Sequence, residues 1–172
     1  MKRLKRSILY LIILAIPLAG LVYTFPRNTV VVLPGIEYRL GEPEDFRSVS
    51  IKLEGTFQRR FLDKNRFRGT AYIGGQTLRD VDVTLNPDGA LMMVRNVETE
   101  KIERFGAIYS EGELERFTIA VLEPVIFFGQ VSEEKFWDTD SGMMISVPAE
   151  TREEALRISN EIMAHLLDEP LK

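Results

Sequence analysis

The sequence predicts an α+β fold: an N-terminal transmembrane helix, then a curved antiparallel β-sheet of six to eight strands in meander order, with one C-terminal helix packed on it. Three observations carry this. An apolar run from Ile8 to Val22 follows a basic tail. A series of short segments alternates apolar and polar residues with period two. Residues 151–167 carry a broad apolar stripe at helical spacing. The chain divides accordingly into a cytoplasmic basic tail (1–6), a membrane anchor (7–25), a linker with a short strand (26–48) and an exported domain (49–172).

The apolar run spans ~23 Å at helical rise, and ~28 Å if Ser7 and Tyr23 to Phe25 are included. That suits a short transmembrane helix, and also the apolar region of a secretory signal. Lys2, Arg3, Lys5 and Arg6 precede it and only Arg27 closely follows, which places the N-terminus in the cytoplasm and the rest outside. No small-x-small cleavage site follows the run, so a retained single-pass anchor at the cell membrane is the expectation, with a cleaved signal as its alternative. The chain has no cysteine, which excludes disulfides, thiolate catalysis and Cys-ligated metal.

Gly35 to Arg47 read as a loop. Beyond it, Val49, Ile51, Leu53, Gly55 and Phe57 share one face of a strand, and Ser50, Lys52, Glu54 and Thr56 the other. Residues 67–73 and 81–85 alternate in the same way. Turn signals at 62–65, 74–75 and 86–89 separate these runs, the last being Asn-Pro-Asp-Gly. Residues 90–97, 104–110 and 116–124 are apolar at both parities, which predicts strands covered on both sides. Residues 143–148 read as a final strand, and 125–142 carry no clear signal. Thr151 and Glu154 form a capping box for the C-terminal helix, whose stripe runs through Ala155, Ile158, Ile162 and Leu166.

Charge divides at the same boundary. The chain holds 22 basic and 26 acidic residues; the tail takes four of the basic ones, leaving the exported part at −8. A domain so acidic lacks the basic field that nucleic-acid binding needs. Catalytic signatures are sparse. The one histidine, His165, lies near the helix end and suits a capping contact better than catalysis. A triad or a histidine metal site would lack its other members. Asp80/Asp82 and Glu113/Glu115 each share a strand face about 7 Å apart, a separation that glycoside hydrolysis can use only in a cleft. Asp138 to Gly142 (Asp-Thr-Asp-Ser-Gly) begins like a calcium loop but lacks its later ligands. Ser141-Gly142-Met143 shares two letters with the Ser-x-Met of signal peptidases. No lysine lies far enough downstream to serve it, which excludes that class. The sequence calls for no cofactor or metal.

One stretch runs against the acidic background. Lys52, Arg59, Arg60, Lys64, Arg66 and Arg68 outweigh Glu54 and Asp63, a local +4. If residues 49–60 and 66–74 pair as a hairpin, Arg59, Arg60, Lys64, Arg66 and Arg68 gather near an apolar tip at Phe61 and Leu62. They become candidates for contact with an anionic envelope component. The function expected is therefore a membrane-tethered extracytoplasmic domain, a non-enzymatic binding or accessory protein of the envelope with a protein or anionic partner. The alternatives are a hydrolase using paired carboxylates, and a structural subunit of a membrane complex that docks through apolar surface around Phe127, Phe128, Phe136 and Trp137.

Overall fold

The computed structural model describes Ala15, Gly20 and residues 23–61, 63–95, 97, 100–127 and 130–172. Among these residues lie ten strands and a C-terminal helix: β1 Arg27–Arg39, β2 Phe46–Gln58, β3 Asn65–Ile73, β4 Gln76–Leu85, β5 Ala90–Arg95, β6 Ile102–Ser110, β7 Phe117–Val121, β8 Glu123–Phe127, β9 Gln130–Phe136, β10 Met143–Val147 and α1 Arg152–Met163. Eight strands form a closed antiparallel barrel in the order β1-β10-β7-β6-β5-β4-β3-β2, and β8–β9 form a separate two-stranded sheet.

Closure corrects the predicted fold class. The expected open, curved sheet is a barrel because residues 26–48 do more than link. β1 is a 13-residue strand that pairs with β2 in unbroken register from Arg27↔Phe57 to Tyr38↔Phe46. Its far end pairs with β10, Ile36↔Ser146 to Arg39↔Met143, and β10 pairs with β7. The predicted loop of 35–47 shrinks to residues 40–45. The transmembrane helix assigned to 7–25 lies almost wholly outside the described residues. Among those described, no helix is long and apolar enough to cross a membrane.

Curvature has local causes. Register shifts interrupt β3–β4, β4–β5 and β5–β6, and such irregularities bend a strand pair. Gly55 faces Gly69 across β2–β3, and a Cβ on either would overlap the opposite backbone. The two strands approach more closely there than side chains permit. An eight-stranded barrel is just wide enough to be filled by side chains. Here Phe67, Leu85, Met92, Phe117 and Ile119 are all buried within it.

A second core lies outside the barrel wall. Ile36, Tyr38, Ala120 and Met144 pack against Ala155, Ile158, Ile162 and Met163 of α1. The helix therefore covers β1, β7 and β10, the strands nearest the closure. Thr151 caps α1 by accepting from Glu154 N at 3.2 Å, while the Glu154 carboxylate accepts from Glu150 N. Between helix and wall sit four fully buried hydroxyls. Ser159 lies 2.7 Å from Tyr38, 2.8 Å from Thr118 and 2.7 Å from Ser146. Burial raises the Tyr38 pKa, opposed by hydrogen bonds from Ser146 and Ser159. On β5, which α1 does not cover, Leu91 is exposed. The expectation of cover on both sides fails there.

Arg39 joins the segment that had no sequence signal to the barrel. Its guanidinium donates to both Glu123 carboxylate oxygens at 3.0 and 2.8 Å, and to the Ser141 carbonyl at 2.9 Å. This ties β8 and the loop before β10 to the end of β1.

Candidate functional site

The chain enters the barrel at one end, and the least covered apolar surface gathers there. β1 begins at Arg27, paired with Phe57 near the end of β2. The β2–β3 turn follows directly, so residues 59–64 sit beside the entering segment. Phe25 and Phe61 are 70% and 78% exposed, and Tyr23 is nearly half exposed. The Arg59 guanidinium lies 5.8 Å from the centre of the Tyr23 ring, and Gln58 Nε2 donates to the Thr24 carbonyl at 3.5 Å. A cleft of about 230 Å³ opens between residues 23–29, Phe57 and Arg59 on one side and Glu113 to Glu115 on the other.

The five cations separate into two groups. Arg59, Arg60 and Lys64 belong to this end; Arg66 and Arg68 lie along the barrel wall. Each meets a carboxylate. Arg59 pairs with Glu113 at 3.6 Å, Arg60 with Asp63, and Lys64 with Asp88 at 2.9 Å. Arg66 and Arg68 both hold Asp82, at 2.5 and 3.0 Å. The local excess counted along the sequence is therefore offset by acids from β4 and from the loops after β4 and β6. Hydrogen bonds from Arg66 push the Asp82 pKa down, with Arg68 adding to this. A backbone N–H and Arg60 do the same for Asp63, and Lys64 does so for Asp88.

The remaining sequence candidates are dispersed. Asp80 is exposed, has a positive φ of 54° and pairs with Arg95, away from the Asp82 cluster. Glu113 and Glu115 are exposed on the β6–β7 loop. His165 lies beyond the end of α1, partly exposed, with Nε2 3.4 Å from Asp88; it touches the β4–β5 turn rather than the helix stripe. In the 138–142 loop, Ser141 donates to Asp138 at 2.7 Å, which lowers the Asp138 pKa. Among the described residues no group of three or more His, Asp or Glu is placed to hold a metal ion.

Sequence reasoning missed two features. The proximity of Tyr23 and Phe25 to Arg59 has no local signal, since only the fold joins them. The hydroxyl cluster did leave one: Thr118, Ser146 and Ser159 interrupt apolar stretches, and a polar residue in a buried phase needs a partner. Comparison with family models, with curated proteins and with solved structures gives no match, so geometry alone carries the functional argument.

Proposed function

We propose that this chain is a membrane-tethered extracytoplasmic domain that binds rather than transforms its partner, and that its aromatic end rests on the bilayer. The observation that carries this is the exposure of Tyr23, Phe25 and Phe61 at the end where the apolar N-terminal run joins the barrel. Aromatic side chains suit the membrane interface. Burying such a side chain contributes roughly 1.5–3 kcal/mol. The neighbouring cations contribute less than the ~1 kcal/mol that each gives near an anionic surface, because each holds a carboxylate. Aromatic insertion therefore outweighs charge, and the end rests on lipid with little dependence on salt.

Three further observations support binding over hydrolysis. The barrel lumen is filled by side chains, the two carboxylate pairs are exposed, and among the described residues every carboxyl pKa that is shifted is shifted down. A general acid needs the opposite shift. The test uses the full-length protein in vesicles of neutral and of anionic lipid, with Phe25→Ser/Phe61→Ser compared with Arg59→Gln/Arg60→Gln. Protease protection of the entering segment should fall in the aromatic variant and persist in the arginine variant. The reverse result would return the contact to charge. The address is tested by Glu44→Cys, at the opposite end of the barrel, with a membrane-impermeant maleimide on intact cells. Labelling only after lysis would overturn it.

A further inference from the structure

The cleft beside the entering segment is the mouth of the barrel. Val31 and Leu33 of β1 pack into the barrel core, whereas Ile36 and Tyr38 pack outside it against α1. Odd-numbered residues of β1 therefore share the inward phase, and Arg27 and Thr29 fall on it. Both line the cleft together with Phe57 and Leu114, which belong to the barrel core and give the mouth an apolar floor. Mouths of β-barrels are common places for ligands. At about 230 Å³ this one is smaller than the roughly 300–1,000 Å³ that drug-sized molecules occupy. The lumen below is filled, so the mouth has room for a small polar group and not for an acyl chain.

The charges around it are matched in number and incompletely paired. Arg27 and Arg59 stand on one side, Glu113 and Glu115 on the other. Arg27 lies outside the basic stretch of 52–68, and among the described residues neither it nor Glu115 has an ion-pair partner. Arg59 and Glu113 face each other at 3.6 Å, too far for a hydrogen bond. Two cations facing two carboxylates complement a ligand that carries both signs. We propose that the mouth binds the headgroup of a zwitterionic phospholipid, its phosphate on Arg27 and Arg59 and its ammonium on Glu113 and Glu115. With this end on the bilayer, as proposed above and as this assignment requires, headgroups lie at the mouth already. Guanidinium groups match phosphate geometry. A primary ammonium donates up to three hydrogen bonds to carboxylates, whereas a quaternary one donates none and is held by aromatic faces. The Tyr23 ring already lies against the Arg59 guanidinium. The headgroup is therefore ethanolamine rather than choline. Its zero net charge agrees with a contact that depends little on salt.

The test titrates full-length protein, in a detergent without phosphate, with glycerophosphoethanolamine, glycerophosphocholine and inorganic phosphate, read by calorimetry. The first should bind saturably and about tenfold more tightly than the other two, as hydrogen bonds to charged groups allow. Arg27→Gln should weaken it about tenfold. Glu113→Gln/Glu115→Gln should abolish the preference for ethanolamine over choline. All three side chains are exposed, so thermal midpoints should stay unchanged. No saturable binding, or equal affinity for the two headgroups, would overturn the proposal. The membrane contact is measured separately, by a solvent-sensitive dye on Phe61→Cys in phosphatidylcholine vesicles with and without phosphatidylethanolamine. A dye immersed in lipid, with no headgroup binding, would remove the headgroup site and leave the membrane contact standing. Headgroup binding with the dye in water would overturn the bilayer as source and leave the mouth to a free ester of phosphoethanolamine.

Discussion

The two halves of β1 share a strand, a partner in β2 and an apolar composition, yet their surroundings differ. Ile36 and Tyr38 point outward from the barrel into the α1 interface and are completely buried. Val30 and Val32 point to the same side and stand mostly in water. Four residues separate a core position from a surface one, with no change in hydrophobicity to mark the step. The difference comes from cover, since α1 and β10 reach one half and stop short of the other. A continuous apolar strand therefore need not be covered along its whole length.

The largest expected effect tests that contrast on one strand. Ile36→Ala should cost about 2–5 kcal/mol, as large-to-small changes in a packed core do. Val32→Ala should stay within about 0.5 kcal/mol, as for an exposed site. Urea unfolding of both variants at low protein concentration measures the difference. Equal costs there would mean that Val32 is covered within a single chain.

Backbone proximity gives a second test, on the wall that α1 does not cover. Gly55→Ala would push a Cβ into the Arg68 carbonyl and the Gly69 Cα, costing about 1–3 kcal/mol as overpacking does. A thermal scan showing an unchanged midpoint would mean that β2 and β3 can separate freely there.

The hydroxyl cluster sharpens the account of the covered side. Removing Ser159 leaves the buried Tyr38 hydroxyl with only Ser146 at 3.4 Å. Ser159→Ala should therefore cost about 1–3 kcal/mol. Ser141→Ala, whose hydroxyl serves an exposed turn, should cost less than about 0.5 kcal/mol. Denaturant midpoints of the two variants decide the order.

The smallest effect belongs to the ion pairs of the bare side. The folded-state pKa of Asp82 is depressed, so its pairing stabilises the fold above the ordinary carboxylate pKa near 3.9. That contribution disappears as pH falls through the lower folded value. Both partners are substantially exposed, so it amounts to less than about 1 kcal/mol. The stability difference between the natural protein and Asp82→Asn should be constant above about pH 5 and vanish in stronger acid.

How much of this was legible in the sequence follows the range of the interactions. The strands around Ile51, Ala71 and Val83 were readable because one face is wet and the other dry. The helix was readable from its cap and stripe. Closure was not, because the pairing of Ile36 with Ser146 joins residues more than a hundred apart, with no local signal. Residues 30–33 carried a misleading signal. They read only as the short strand of a linker, and of these four consecutive apolar residues Val30 and Val32 are bare. At the candidate site, the turn that carries Arg59, Arg60 and Phe61 was visible. The acids that offset its cations, Glu113 and Asp88, arrive from the loops after β6 and β4 and could not be counted in advance.

The most direct test of the central claim, that the bare aromatic end rests on lipid, compares two single cysteines in a protein that has none. Full-length Phe61→Cys and Glu44→Cys, each carrying a solvent-sensitive thiol dye and reconstituted into vesicles, report on opposite ends of the barrel. The account predicts a blue shift and quenching by lipid-borne quenchers at position 61, and neither at position 44. A dye at 61 that reports water in every lipid would contradict it.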